Sequence, residues 1–108
     1  MVVAPENLSM KVNLFISARA LPDMDTFSKS DPVCMIFEKK NGGWIKIGKT
    51  EQIKNNLNPD WRTSFTLDYF FEKKQELRFK VVDDDGSDGS DSLGSLEATM
   101  GQVMGARA

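Results

Sequence analysis

Apolar and polar residues alternate along six short stretches of this chain, and most of the breaks between them are rich in Pro, Gly, Asn or Asp. From Lys11 to Leu21, Val12, Leu14, Ile16 and Ala18 share one face, while Lys11, Asn13, Ser17 and Arg19 lie mostly on the other. Side chains of an extended backbone point alternately to its two sides, so this period predicts a half-buried strand, ended by Pro22. A second strand is predicted from about Val33 to Lys39. Asn41-Gly42-Gly43 then signals a hairpin, because Asn and Gly accept the positive φ that tight β-turns require, and Trp44 to Thr50 returns as the paired strand. Leu57-Asn58-Pro59-Asp60-Trp61 reads as a turn. Thr63 to Phe71 alternates again, with Phe65, Leu67 and Tyr69 against Thr66 and Asp68. A charged turn, Glu72-Lys73-Lys74-Gln75, leads to a strand carrying Leu77, Phe79 and Val81. Leu93 to Val103 is predicted as the last strand, with Leu96, Ala98 and Met100 on one side. No long 3.6-residue period and no internal repeat interrupts this order. Six short strands at roughly ten-residue spacing predict an all-β fold, an antiparallel Greek-key β-sandwich whose apolar faces bury each other.

The connections carry the chemistry. Between Val82 and Gly94, five aspartates fall within nine positions: Asp83, Asp84, Asp85, Asp88 and Asp91. In an extended chain Asp83 and Asp85 share a side, with Cα atoms roughly 6.5–7 Å apart, close enough for both carboxylates to lean onto one cation. Gly86 and Gly89 let the loop curl. No Lys or Arg lies between Val81 and Met104 to neutralise the charge. Clustered carboxylates and backbone carbonyls suit a hard cation, and Ca²⁺ tolerates irregular oxygen shells better than Mg²⁺. The plainer alternative is a solvated acidic or flexible loop. An EF-hand does not fit, because Gly86 would stand where its second acidic ligand belongs. Any calcium site must therefore draw on more than one loop. The loop after the first strand supplies the second half: Asp25 and Asp31 are six residues apart, as are Asp85 and Asp91. Both loops leave the far end of a strand, and in a sandwich such loops collect at one pole. Asp25, Asp31, Asp83, Asp85 and Asp91 are thus expected to form one cup, with Asp88 at its rim.

Composition narrows the classes. A chain of 108 residues is at most one small domain, and 40% hydrophobic with 28% charged residues is ordinary for a soluble one. The net charge of −2 argues against nonspecific nucleic-acid binding. The single cysteine, Cys34, lies in an apolar strand and reads as a core residue. Residues 1–9 read as a loose leader without the basic flank and apolar run of a signal peptide. No stretch approaches the ~20 apolar residues of a spanning helix, so the expected setting is cytoplasmic. Catalysis has little support: there is no histidine, and the loop serines have no base beside them.

With these residues in view, Leu21-Pro22, Asp25, Ser30-Asp31-Pro32, Leu57-Asn58-Pro59-Asp60-Trp61 and Asp83-Asp84-Asp85 through Asp91-Ser92-Leu93-Gly94 resemble the successive signatures of a C2 domain. Thr50-Glu51, Asn55-Asn56-Leu57-Asn58-Pro59, Phe71-Glu72, Gln75-Glu76-Leu77-Arg78-Phe79 and Thr99-Met100-Gly101-Gln102-Val103 extend the likeness to the first C2 domain of the copines. The resemblance implies an eight-stranded sandwich that binds phospholipid when Ca²⁺ fills its loops, of which about six strands are present over residues 10–108. It places carboxylate ligands at Asp25, Asp31, Asp83, Asp85 and Asp91, an accessory ligand at Asp88, and backbone carbonyls at Thr26, Asp84 and Gly89.

The functional expectation is a calcium-gated latch for anionic membranes of phosphatidylserine type, recruited peripherally to the plasma membrane. Two bound Ca²⁺ would reverse the sign of the net charge of −2. Met24 and Phe27, at the tip of the first loop, are candidates for membrane contact, against the alternative that they fold back on the loop base. Lys39, Lys40, Lys46, Lys49 and Lys54 form a candidate patch for anionic lipid, or simply a solvated strand face. The alternative function is a protein-interaction C2 module in which calcium is structural or not bound.

Overall fold

The computed structural model describes residues 9–23, 30–83 and 91–105, apart from the side chain of Asp91. Six strands and one short helix follow in order: β1 (Ser9–Ser17), β2 (Pro32–Lys40), β3 (Gly43–Lys49), β4 (Asp60–Phe70), β5 (Glu76–Asp83), β6 (Asp91–Thr99) and α1 (Met100–Gly105). β1 and β4 form one sheet, and β3-β2-β5-β6 form the other, with every pairing antiparallel. β2 pairs with β5 although β3 and β4 intervene in the chain, which is the crossover of a Greek key.

The β2–β3 hairpin closes through Asn41 (φ 52) and Gly42 (φ 81), both in the left-handed region that a two-residue turn of this hand requires. The alternating apolar residues of β1, β4 and β5 meet between the sheets. Leu14, Leu77 and Met100 are buried there, with Val12, Phe65, Leu67, Tyr69, Phe79 and Val103 packed against them. Gly48 of β3 admits the Phe65 ring so closely that a Cβ at this position would stand 2.6 Å from it. Cys34 is fully buried, and burial pushes its thiol up to about 11, so it is a core residue and not a nucleophile.

Several strand boundaries differ from expectation: β4 opens at Asp60, inside the expected turn, and β6 at Asp91, inside the expected acidic loop. β1 ends at Ser17 rather than near Leu21, because a register shift after Phe15 breaks the pairing and Ala20 turns into the left-handed region at φ 54. The last strand stops at Thr99 instead of running to Val103. Thr99 and Gln102 cap α1 reciprocally: Gln102 N–H donates to Thr99 Oγ1 at 3.1 Å, and Thr99 N–H donates to Gln102 Oε1 at 2.9 Å. Leu96 and Met100 consequently have opposite fates. Met100 is buried at the base of the core, while Leu96 is 64% exposed.

Glu51 ties the segment after β3 to the start of β4. Its carboxylate accepts the backbone N–H of Arg62 at 2.7 Å, the N–H of Thr63 at 3.1 Å and the Thr63 hydroxyl at 2.7 Å. The Arg62 N–H first, and then the Thr63 hydroxyl, hold its pKa down from 4.5 to about 2. A depressed carboxylate contributes stability that is present above pH 4.5 and is lost as pH falls through about 2. Glu51→Gln is therefore expected to flatten the dependence of melting temperature on pH between about 2 and 4.5, measured by thermal unfolding across that range. An unchanged slope would remove Glu51 as its source.

Candidate functional site

The four-stranded sheet builds the acidic pole. Pro32 opens β2 and lies opposite Asp83 at the end of β5, and Asp83 in turn lies opposite Asp91 at the start of β6. Asp31, one residue before Pro32, therefore stands beside the carboxyl end of β5. Its backbone N–H donates to Asp83 Oδ1 at 3.0 Å. The first acidic loop and the second thus arrive at the same end of the sheet, joined by a direct hydrogen bond.

Asp83 is only 4% exposed, and among the described residues no basic side chain pairs with it. A buried carboxylate without a counter-charge is costly unless a cation compensates it. Asp31 Oδ1 accepts one backbone N–H, from Asn55 at 2.8 Å. Among the described residues no three Asp, Glu, Cys or His side chains are grouped as a metal cage. The chemistry that is present, hard carboxylate oxygen with one carboxylate buried and unpaired, fits Ca²⁺. Asp25, Asp84, Asp85, Asp88, Thr26 and Gly89, together with Met24 and Phe27, lie outside the described residues, as does the leader through residue 8.

The segment between β3 and β4 carries no nominated ligand, yet it organises this pole. It bonds both stems of the first acidic loop. On the entering side, Ala18 N–H donates to Pro59 O at 3.0 Å, Ala20 N–H to Asn58 Oδ1 at 2.8 Å and Leu21 N–H to Leu57 O at 2.9 Å. On the leaving side, Asn56 N–H donates to Ser30 O at 3.0 Å, Asn55 N–H to Asp31 Oδ1, and Ile53 N–H to Pro32 O at 3.3 Å. The indole N–H of buried Trp61 adds a bond of 3.2 Å to the same Pro32 carbonyl. Sequence reasoning assigns this segment only a turn. The run Asn55-Asn56-Leu57-Asn58-Pro59 is its signal, since such residues favour left-handed backbone and side-chain acceptors.

The five nominated lysines do not form one patch. Lys39 pairs with Glu76 at 3.9 Å and Lys40 with Glu38 at 3.8 Å near the β2–β3 turn, while Lys54 precedes Asn55 at the opposite, acidic end. Lys46 and Lys49 do share a face. The bulge between Ile36 and Phe37 sets Lys46 opposite Phe37 and Lys49 opposite Met35, so both point outward although they are three residues apart. The same outer face carries Arg78 and Lys80 of β5, opposite Phe37 and Met35. Arg78 stacks 4.3 Å from the centre of the Trp44 ring and pairs with Glu97. Among the described residues, Lys46, Lys49 and Lys80 have no carboxylate partner. Register regroups the charge across three strands, where linear spacing strings it along one hairpin.

Residues 9–107 match the family model of the C2 domain. The chain belongs to the C2 domain family. It is 45% identical over 101 residues to Copine-E of Dictyostelium discoideum, covering 87% of this chain and 17% of that protein. This C2 domain thus spans less than a fifth of that protein's length. Among solved structures it is similar to BON1-C2B, with a TM-score of 0.70 and 22% identity over 88% of this chain and 67% of that one. It is also similar to the calcium-bound pair of C2 domains of Extended-Synaptotagmin 2, with a TM-score of 0.65 and 29% identity, covering 88% of this chain and 35% of that one. No described helix of the C2 domain is long and apolar enough to cross a membrane.

Proposed function

We propose that this C2 domain is a calcium-dependent phospholipid-binding module that docks on anionic membranes through its acidic pole. One observation supports the reading above others: Asp31, on the β1–β2 connection, donates its backbone N–H to the carboxylate of Asp83 at the end of β5, and Asp83 is buried with no described cation paired to it. Asp25, Asp85 and Asp91 are proposed to complete the ligand set, with Asp88 as the accessory ligand and the carbonyls of Thr26, Asp84 and Gly89 filling the shell. Bound Ca²⁺ supplies positive charge and open coordination positions for lipid phosphate or carboxylate oxygen. The protein's own part is to gather acidic groups that repel an anionic bilayer when no ion is present. Met24 and Phe27 are proposed to enter the interface, and Lys46, Lys49 and Lys80 to add attraction at about 1 kcal/mol per residue near an anionic surface. These are binding and charge-reversal steps, without a catalytic group. The calcium-bound state of a 29% identical relative agrees with this chemistry.

Co-sedimentation with phosphatidylserine-containing vesicles is the test. Pelleting is expected in Ca²⁺ and not in EGTA; equal pelleting in both, or none in either, overturns the proposal. A second reading, a protein-interaction module, is favoured by the apolar groove of about 670 Å³ between β1 and β6, where Phe15 and Leu96 are largely exposed. Under that reading, replacing Asp83 and Asp85 with Asn leaves partner docking intact.

A further inference from the structure

Asn55 sits in the left-handed region at φ 51, and its backbone N–H meets Asp31 Oδ1 at 2.8 Å. Asp31 thereby has one carboxylate oxygen held by protein, and its own N–H holds Asp83 Oδ1 at 3.0 Å. The chain Asn55 N–H, Asp31 carboxylate, Asp31 N–H, Asp83 carboxylate links the β3–β4 connection, the β1–β2 connection and the end of β5. On either side of Asn55, Ile53 N–H to Pro32 O and Asn56 N–H to Ser30 O bind the same short stretch, and Ser30 is fully buried with its hydroxyl on Pro22 O at 3.0 Å. Asn55 is thus fixed from both flanks, and its φ of 51 sets the angle between its own N–H, which meets Asp31, and the N–H of Asn56, which meets Ser30 O.

We propose that Asn55 is the positioning residue of the acidic pole. Its left-handed turn orients the Asp31 carboxylate before any ion arrives, and so sets cation affinity from a segment that contributes no ligand. This rests on the calcium reading above. The physical basis is preorganisation: a carboxylate that is already oriented loses less rotamer freedom on coordination. Oδ1 is engaged by the Asn55 N–H, and the carboxylate keeps further lone pairs for a cation. Asn is suited to the position because it tolerates positive φ, glycine does so freely, and a β-branched residue does not.

The experiment compares wild type, Asn55→Gly and Asn55→Val by calorimetric titration with Ca²⁺, alongside thermal unfolding in EGTA. Asn55→Val is expected to weaken Ca²⁺ affinity about ten-fold or more, the scale of a lost hydrogen bond to a charged group. Asn55→Gly is expected to stay within about three-fold of wild type, because the left-handed turn survives. In the wild-type chain the Asn55 amide resonance is expected to shift when Ca²⁺ saturates the site, a readout that holds even if Asn55→Val does not fold. Wild-type affinity in Asn55→Val, an equal loss in both variants, or an unmoved Asn55 amide overturns the assignment while leaving the calcium reading in place. Absence of any Ca²⁺ heat from the wild-type chain overturns both.

Discussion

Asp83→Asn is expected to abolish calcium-dependent pelleting with phosphatidylserine vesicles while leaving the metal-free fold as stable as wild type, or more so. The two halves of this outcome have separate causes. Asp83 is 4% exposed, next to Asp31 and opposite Asp91, and no described basic side chain faces it. Neutralising it removes a buried charge that no described cation compensates, and an amide oxygen can still accept the Asp31 N–H. The melting temperature in EGTA should therefore hold or rise. Calcium affinity, by contrast, depends on the number of charged ligands, and the amide carries no charge. Calcium at about 100 times its Kd stabilises a native state by about 2.7 kcal/mol, on the order of 10 °C in a domain of this size. That calcium-induced shift should be present in wild type and vanish in Asp83→Asn. A variant that loses stability in EGTA and keeps the calcium shift would reassign Asp83 from cation binding to fold support.

Trp61→Ala is the substitution with the largest expected cost in stability. Trp61 begins the alternation of β4, is 3% exposed, and donates its indole N–H to the Pro32 carbonyl that also receives Ile53 N–H. Truncation leaves a cavity and removes one of the bonds that fasten β2 at the acidic pole. A loss of about 3–5 kcal/mol is expected in denaturant unfolding. That is a large part of the whole stability of a small domain. Trp61→Phe should separate the two contributions, retaining most of the apolar volume while losing about 1 kcal/mol with the hydrogen bond. Because Pro32 adjoins Asp31, both variants are also expected to weaken the calcium-induced shift. Near-wild-type unfolding of Trp61→Ala would mean that Pro32 and Trp61 do not hold this end of the sandwich together.

The strands are readable because burial against one partner face imposes a period of two, and that period survives in Val12-Leu14-Ile16, Phe65-Leu67-Tyr69 and Leu77-Phe79 whatever the strands pair with. The Asn41-Gly42 turn is readable for a similar reason, since positive φ restricts residue type directly. The end of β6 is not, because the alternation of Leu96 and Ala98 runs on to Met100, past the reciprocal Thr99–Gln102 cap. Side-chain hydrogen bonds at a helix start outweigh the continuation of a strand pattern.

The sequence by itself determined the all-β class, the hairpin, the two acidic loops and their resemblance to a C2 domain, because each is carried by residues adjacent in the chain. Only the tertiary structure decided which groups meet. Antiparallel pairing of β2 with β5 brings Asp31 to Asp83 across 52 positions, and the β3–β4 connection brings Asn55 to Asp31 across 24. A one-residue bulge turns Lys46 and Lys49 onto one face with Arg78 and Lys80. Register and bulges are settled by the simultaneous burial of several strands, so no single stretch of the chain contains them.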